Sequence, residues 1–138
     1  GFNLRSTDLQ SFIGIGQIDK LDEICKKRNS NFKIYNELLS DFLPYIKDNG
    51  FISNFAYPVI TKDRDKIIKK LQDANIEVRP MICGSMGTQP FYVKKYGRLE
   101  LPNVSIIDKY GFYLPNNPHL TEKEILTICD LINRVINE

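Results

Sequence analysis

Asn3 and Arg5 stand two residues apart in the opening run Gly1-Phe2-Asn3-Leu4-Arg5-Ser6-Thr7-Asp8-Leu9-Gln10. Residues two apart on an extended segment point to one side, so an amide and a guanidinium project together. Just beyond them Thr7 and Gln10 give the Thr-x-x-Gln form of a capping box, the mark of a helix start. The positive, amide-rich end of that helix therefore lies beside the pair. A planar guanidinium fork with a neutral amide donor suits a phosphate or carboxylate better than a metal ion or an apolar ligand. A turn asparagine next to a solvated arginine uses the same residues without a ligand, and the pair alone does not separate the two uses.

Arg79 is the second candidate. It precedes Pro80, which holds the backbone before it extended and so helps fix the side chain's direction. Its competing use is a surface ion pair with Glu77 or another nearby acid. His119 is the only histidine, and no carboxylate or nucleophile stands at a readable spacing from it, so a general base there has no support. Cys83 has no basic partner in the sequence to activate it. The glycines of Cys83-Gly84-Ser85-Met86-Gly87-Thr88-Gln89-Pro90 let backbone approach a ligand closely or simply make a tight turn.

These residues need elements to hold them. Leu9, Phe12, Ile13 and Ile15 predict a short helix broken at Gly14 and Gly16. Gly14-Ile15-Gly16 is not a dinucleotide loop, since no strand precedes it and the third glycine is missing. From about residue 17 to 43, Ile18, Leu21, Cys25, Arg28, Phe32, Tyr35, Leu39 and Phe42 recur at intervals of three and four. They predict one long helix of roughly 40 Å, able to connect a large domain to a small one. Its apolar side is expected to stay exposed around Phe32 and Tyr35 in this chain alone and to drive self-association.

Strands are expected near residues 54–60, 76–82 and 111–114, with Pro58 limiting the first to an edge or irregular position. Between them come an amphipathic helix over 63–74 with Ile67, Ile68 and Leu71 on one face, and a short helix starting near Gln89-Pro90. Thr121 and Glu124 form a second capping box, and Leu120 with Ile125 a hydrophobic staple, at the head of a closing helix from Glu122 to about Asn137. The fold class is thus α/β: a long helix and a three-stranded, mainly antiparallel sheet with helices on one side.

At 138 residues with 42% apolar side chains, one domain with its own core is expected. Nineteen basic against seventeen acidic residues give a net charge of +2, too weak a field to imply nucleic acid or a membrane surface as partner. An RNA-binding sheet would need a basic face with exposed aromatics. No apolar run is long enough to cross a bilayer, and a soluble, cytoplasmic protein is expected. Cys25, Cys83 and Cys129 are odd in number and widely spaced, which argues against a disulfide framework or a zinc site.

The run from Gly1 to Asp22, with Gly-Phe-Asn-x-Arg-x-Thr-Asp-x-Gln, a helix carrying glycines and then Gln17-Ile18-x-x-Leu21-Asp22, resembles the signature of the DegT/DnrJ/EryC1/StrS family of pyridoxal phosphate enzymes acting on nucleotide-linked sugars. Glu77-Val78-Arg79-Pro80, Gln89-Pro90-Phe91-Tyr92, Tyr110-Gly111-Phe112-Tyr113-Leu114-Pro115 and the Thr121-Glu122-Lys123-Glu124-Ile125 helix extend the likeness over essentially the whole chain. The resemblance implies that residues 1–138 are the C-terminal small domain of a fold-type I homodimer, with interdomain helices over 8–43. It assigns Asn3 to the phosphate of the partner subunit's pyridoxal phosphate, Arg5 to the same anionic pocket and Arg79 to the sugar substrate. It further implies a cofactor-anchoring residue upstream of Gly1, so that no catalytic residue lies in the chain, which alone is expected to be inactive or a structural dimerisation module. With a lysine upstream, an amino group passes from a donor such as glutamate to a 4-keto-6-deoxy sugar; with a histidine, the 3-hydroxyl is eliminated. The glycine-containing loop over 83–90 is closer to the 3-dehydratase branch. Either activity belongs to cell-surface polysaccharide and lipopolysaccharide O-antigen sugar synthesis.

Overall fold

Two helices lead the chain, α1 over Asp8–Ile18 and α2 over Leu21–Leu39. The structure, a computed structural model, describes residues 5–43, 50–81 and 84–137. After a single 3-10 turn over Ser40–Phe42 come strand β1 (Ala56–Ile60), helix α3 (Arg64–Asp73), the two-residue strand β2 (Arg79–Pro80), helices α4 (Pro90–Tyr96) and α5 (Pro102–Tyr110), strand β3 (Gly111–Pro115) and helix α6 (Glu122–Asn137). The sheet is antiparallel in the order β1-β3-β2. The α/β class, the three-stranded antiparallel sheet and the closing helix stand as the sequence implies.

Local signals explain most of these boundaries. Thr7 caps α1 reciprocally with Gln10: the Thr7 backbone amide donates to the Gln10 side-chain oxygen Oε1 at 2.8 Å, and the Gln10 backbone amide to the Thr7 hydroxyl at 3.3 Å. Thr121 and Glu124 do the same for α6, and these hydrogen bonds to Thr121 hold the Glu124 carboxyl below its usual range. Helix α3 ends in a Schellman motif. Asn75 takes the left-handed conformation (φ 59°), and the Ile76 and Asn75 amides donate back to the Leu71 and Gln72 carbonyls.

Four sequence expectations need correction. Gly14 and Gly16 do not break α1, which runs on to Ile18, because a helical glycine costs only about 1 kcal/mol. The break falls at Asp19-Lys20. The long helix is accordingly shorter, 19 residues or about 29 Å, and gives way to the 3-10 turn after Leu39. The second strand keeps only Arg79 and Pro80 in the ladder, although Ile76 and Val78 still turn toward the core while Glu77 and Arg79 stay exposed. Phe32 and Tyr35 are not an exposed strip, since both lie in the core.

That core explains the layering. Register pairs Tyr57 with Leu114 and Val59 with Phe112 on one face of the sheet, and all four are fully buried. Against this face pack Phe32, Tyr35 and Leu39 of α2, Ile67 and Leu71 of α3, and Ile125, Ile128, Cys129 and Ile132 of α6. Each such apolar side chain contributes about 1.5–3 kcal/mol of transfer free energy. Burial also pushes the Cys129 thiol up to about 12, so it stays an inert apolar group at neutral pH. In contrast α1 buries nothing: Leu9, Phe12, Ile13, Ile15 and Ile18 are all exposed.

Two buried tyrosines make opposite uses of their hydroxyls. Tyr35 and Tyr57 stack at 4.9 Å, and burial, then the neighbouring Cys129, raises both phenols well above their ordinary value. Tyr35 donates to the Pro115 carbonyl at 2.9 Å, whereas the Tyr57 hydroxyl is buried with no partner among the described residues. Tyr35→Phe is therefore expected to destabilise by about 1 kcal/mol, and Tyr57→Phe to be neutral or stabilising. Urea denaturation of both variants checks the sign. Equal losses would mean that the Tyr35 hydrogen bond contributes nothing.

Candidate binding site on the open face of the sheet

Helices α2, α3 and α6 pack on the face of the sheet that carries Tyr57, Val59, Phe112 and Leu114. The opposite face carries Pro58, Tyr113 and Arg79, which are in register across the three strands. Arg79 thus sits on the edge strand beside Tyr113, pointing away from the core. Its guanidinium donates twice to one Glu77 carboxylate oxygen, at 2.9 and 2.8 Å. The surface pair anticipated from the sequence does form, but its side chains are 77% and 74% exposed. Such a pair contributes little and exchanges readily, so the Arg79 guanidinium can turn to a better acceptor.

A cleft of about 450 Å³ opens beside it, lined among others by Arg28, Phe55, Glu77, Arg79, Tyr113 and Asn116. That volume is in the range of small-molecule sites. Phe55 and Tyr113 meet with ring centroids 5.6 Å apart at 57°, forming an aromatic wall. The polar floor comes from α2 and the segment after β3. Asn116 is buried and its amide nitrogen donates to the Arg28 and Asn54 carbonyls and the Asn54 side-chain oxygen. Asn31 adds a bond to the Asn117 carbonyl. Together with Tyr35 these bonds pin α2 to the 115–117 segment and fix the floor of the cleft. Among the described residues the Arg28 Nε and the Asn116 side-chain oxygen are nevertheless buried without partners.

Of the residues singled out from the sequence, Asn3 and Cys83 lie outside the described residues. Arg5 is described and exposed, ahead of the capped end of α1, and it does not line the cleft that holds Arg79. His119 is exposed on a different, larger cleft between α1, α2 and the 118–119 turn. Gly84 and Gly87 serve the fold. Gly84 has φ +55°, and a side chain there would run into the Asp108 carboxylate; one at Gly87 would meet the Leu99 backbone. Tyr92 and Tyr96 pack on each other, 5.0 Å apart, with Tyr96 largely exposed.

Arg28, Phe55, Tyr113 and Asn116 did not emerge as site residues from the sequence. For Arg28 a signal existed: it is the one charged residue in an otherwise apolar or aromatic stripe of α2. The others come together only through the register of β3 and the turn after it. Among the described residues no helix is long and apolar enough to cross a membrane.

The model of the DegT/DnrJ/EryC1/StrS aminotransferase family matches residues 1–133. The chain is 28% identical to the GDP-4-keto-6-deoxy-D-mannose 3-dehydratase of Yersinia pseudotuberculosis, over 97% of this chain and 37% of that protein. It is 24% identical to the GDP-perosamine synthase of Escherichia coli O157:H7, over 100% of this chain and 38% of that one. Among solved structures it superposes on the E. coli GDP-4-keto-6-deoxy-D-mannose 3-dehydratase with bound hydrated pyridoxal phosphate, with a TM-score of 0.80 and 25% identity over 95% of this chain and 36% of that chain. The chain spans little more than a third of the length of these relatives.

Proposed function

The chain belongs to the DegT/DnrJ/EryC1/StrS aminotransferase family, and on that premise we propose that residues 1–138 form the C-terminal small domain of a longer, homodimeric pyridoxal phosphate enzyme that transfers an amino group from glutamate to a nucleotide-linked 4-keto-6-deoxy sugar. The observation that carries this reading is the face of the sheet opposite α2, α3 and α6, which presents Arg79 and an aromatic wall to a cleft. Relatives that act on GDP-linked sugars make GDP the first nucleotide to test.

The donors in the chain match one end of the cofactor. Arg5 lies ahead of the capped, positive end of α1, and with Asn3 it offers guanidinium and amide donors suited to a phosphate; in the proposed dimer Asn3 serves the neighbouring subunit's site. No lysine among the described residues is buried, so the cofactor's anchoring group is assigned to the rest of the longer polypeptide. Pyridoxal phosphate, when bound, supplies the electron sink for breaking bonds next to the amino nitrogen. The residues of this chain hold and orient: Arg79 turns from Glu77 to an anionic or hydroxyl group of the sugar substrate, and the pinned floor of the cleft keeps that geometry without reorganisation.

Elimination of the 3-hydroxyl is the second reading, favoured by the similarity to 3-dehydratases and by the glycine-containing sequence over 83–90. Product analysis of the longer polypeptide tests both. With pyridoxal phosphate, glutamate and GDP-4-keto-6-deoxymannose, transfer gives a sugar in which an amino group replaces the oxo group, whereas elimination gives one that has lost an oxygen. A sugar returned unchanged, with glutamate unconsumed, would defeat both.

A further inference from the structure

Taking from the reading above only that this chain is part of a longer polypeptide, we infer that α1 is a helix enclosed on two opposite sides by the rest of that polypeptide, with Gly14 and Gly16 as the points of closest approach. Leu9, Phe12, Ile13 and Gly16 follow the i, i+3, i+4, i+7 spacing of one helical stripe. Ser11, Gly14, Ile15 and Ile18 repeat that spacing two residues, or about 200°, further round the helix. The two stripes therefore lie on opposite sides, and each holds one glycine. Gln10 and Gln17 share one seam between the stripes, and Asp8 lies on the other. Gln17 is the α1 residue that lines the cleft shared with α2 and the 118–119 turn, so a polar seam rather than a stripe faces this chain's own body. Every large apolar side chain of α1 is more than half exposed.

The glycines point to a close neighbour. Both are helical, neither has the positive φ that calls for glycine, and a side-chain carbon built on either meets nothing within 4 Å. Glycine in a helix interior is destabilising relative to alanine, so two of them with no use inside this chain mark where another backbone comes close. Three occupants compete for the stripes. A second copy that pairs α1 with α1 about a two-fold axis uses one face of the helix and leaves the opposite stripe bare. A helix lying on a lipid surface has one apolar face and one strongly polar face, and 11 residues are too few to cross a bilayer. A helix apolar on opposite sides belongs in a protein interior. The chain matches only 37% and 38% of the length of the two relatives above, which leaves ample polypeptide to supply both layers.

The effect of Gly14→Ala and of Gly16→Ala is expected to reverse with context. In the 138-residue chain, where α1 buries nothing, each should leave the thermal midpoint equal or raise it. In the longer polypeptide each should lower it by several degrees, because the added methyl group has no room. Hydrogen exchange on the unsubstituted proteins keeps the test open where a substituted one fails to fold. An 11-residue helix with no buried residue is marginal in water. Its amides should exchange within about tenfold of the unfolded rate in the 138-residue chain and more than about 1000-fold more slowly in the longer polypeptide. Substitutions that raise the midpoint of both proteins, or α1 amides that exchange equally fast in both, would overturn the assignment. So would α1 protection that appears in the 138-residue chain on raising its concentration, which gives the stripes to a second copy, or on adding phosphatidylglycerol vesicles, which gives them to a lipid surface. Slow α1 exchange beside an unchanged sugar in the product assay would remove only the enzymatic reading; fast exchange beside normal product would remove only the enclosure of α1.

Discussion

Truncating Phe112 to alanine is expected to lower the free energy of unfolding by about 3–5 kcal/mol. Phe112 is fully buried, is paired with Val59 in the register of the sheet and belongs to the cluster formed by the three covering helices. A domain of this kind has only about 5–15 kcal/mol in total, so much of the population is expected to unfold near physiological temperature. Urea titration reads the loss as a lower midpoint at unchanged slope. A loss near that of a surface substitution would mean that this face is not packed against α2, α3 and α6.

Replacing Arg79 by alanine acts on the other face, and its expected effect is on function. In the longer polypeptide, losing a charged hydrogen bond to the sugar substrate is worth about 1.5–3 kcal/mol, which corresponds to a KM raised roughly 10- to 150-fold. Retention of pyridoxal phosphate should not change, and stability should change little because the Glu77 pair is exposed. Arg79→Lys keeps the charge but not the fork, and should recover only part of the loss. Steady-state kinetics with the sugar varied at saturating glutamate makes the measurement; an unchanged KM would return Arg79 to its role as a surface partner of Glu77.

The parts of the fold legible in the sequence are those written in local chemistry. Thr121 and Glu124 announce α6 because a reciprocal cap needs those two side chains three residues apart. The stripes of α2 and α6 announce their buried faces through period alone. Other parts depend on contacts the sequence does not display. Whether Arg79-Pro80 extends into a longer strand depends on pairing with β3, and the ladder closes over only two residues. Helix α5 is not legible in the sequence although Pro102 at its first position is a helix-start signal, because Leu101-Pro102 also suits a loop. The site divides in the same way. Arg79 was visible through its proline neighbour, while the alliance of Arg28 on α2 with Asn116 after β3 joins residues 88 positions apart. Only the folded chain shows it.

The face of the sheet opposite α2, α3 and α6 is proposed as a wall of the substrate cleft. Hydroxyl-radical footprinting of the longer, pyridoxal phosphate-loaded polypeptide, with and without the nucleotide-linked keto sugar, tests it directly because Phe55 and Tyr113 on that face are readily oxidised. Oxidation of both is expected to fall when the sugar nucleotide is added, while the Tyr92–Tyr96 pair on α4 keeps its rate. Unchanged oxidation at Phe55 and Tyr113 under saturating sugar nucleotide would contradict it.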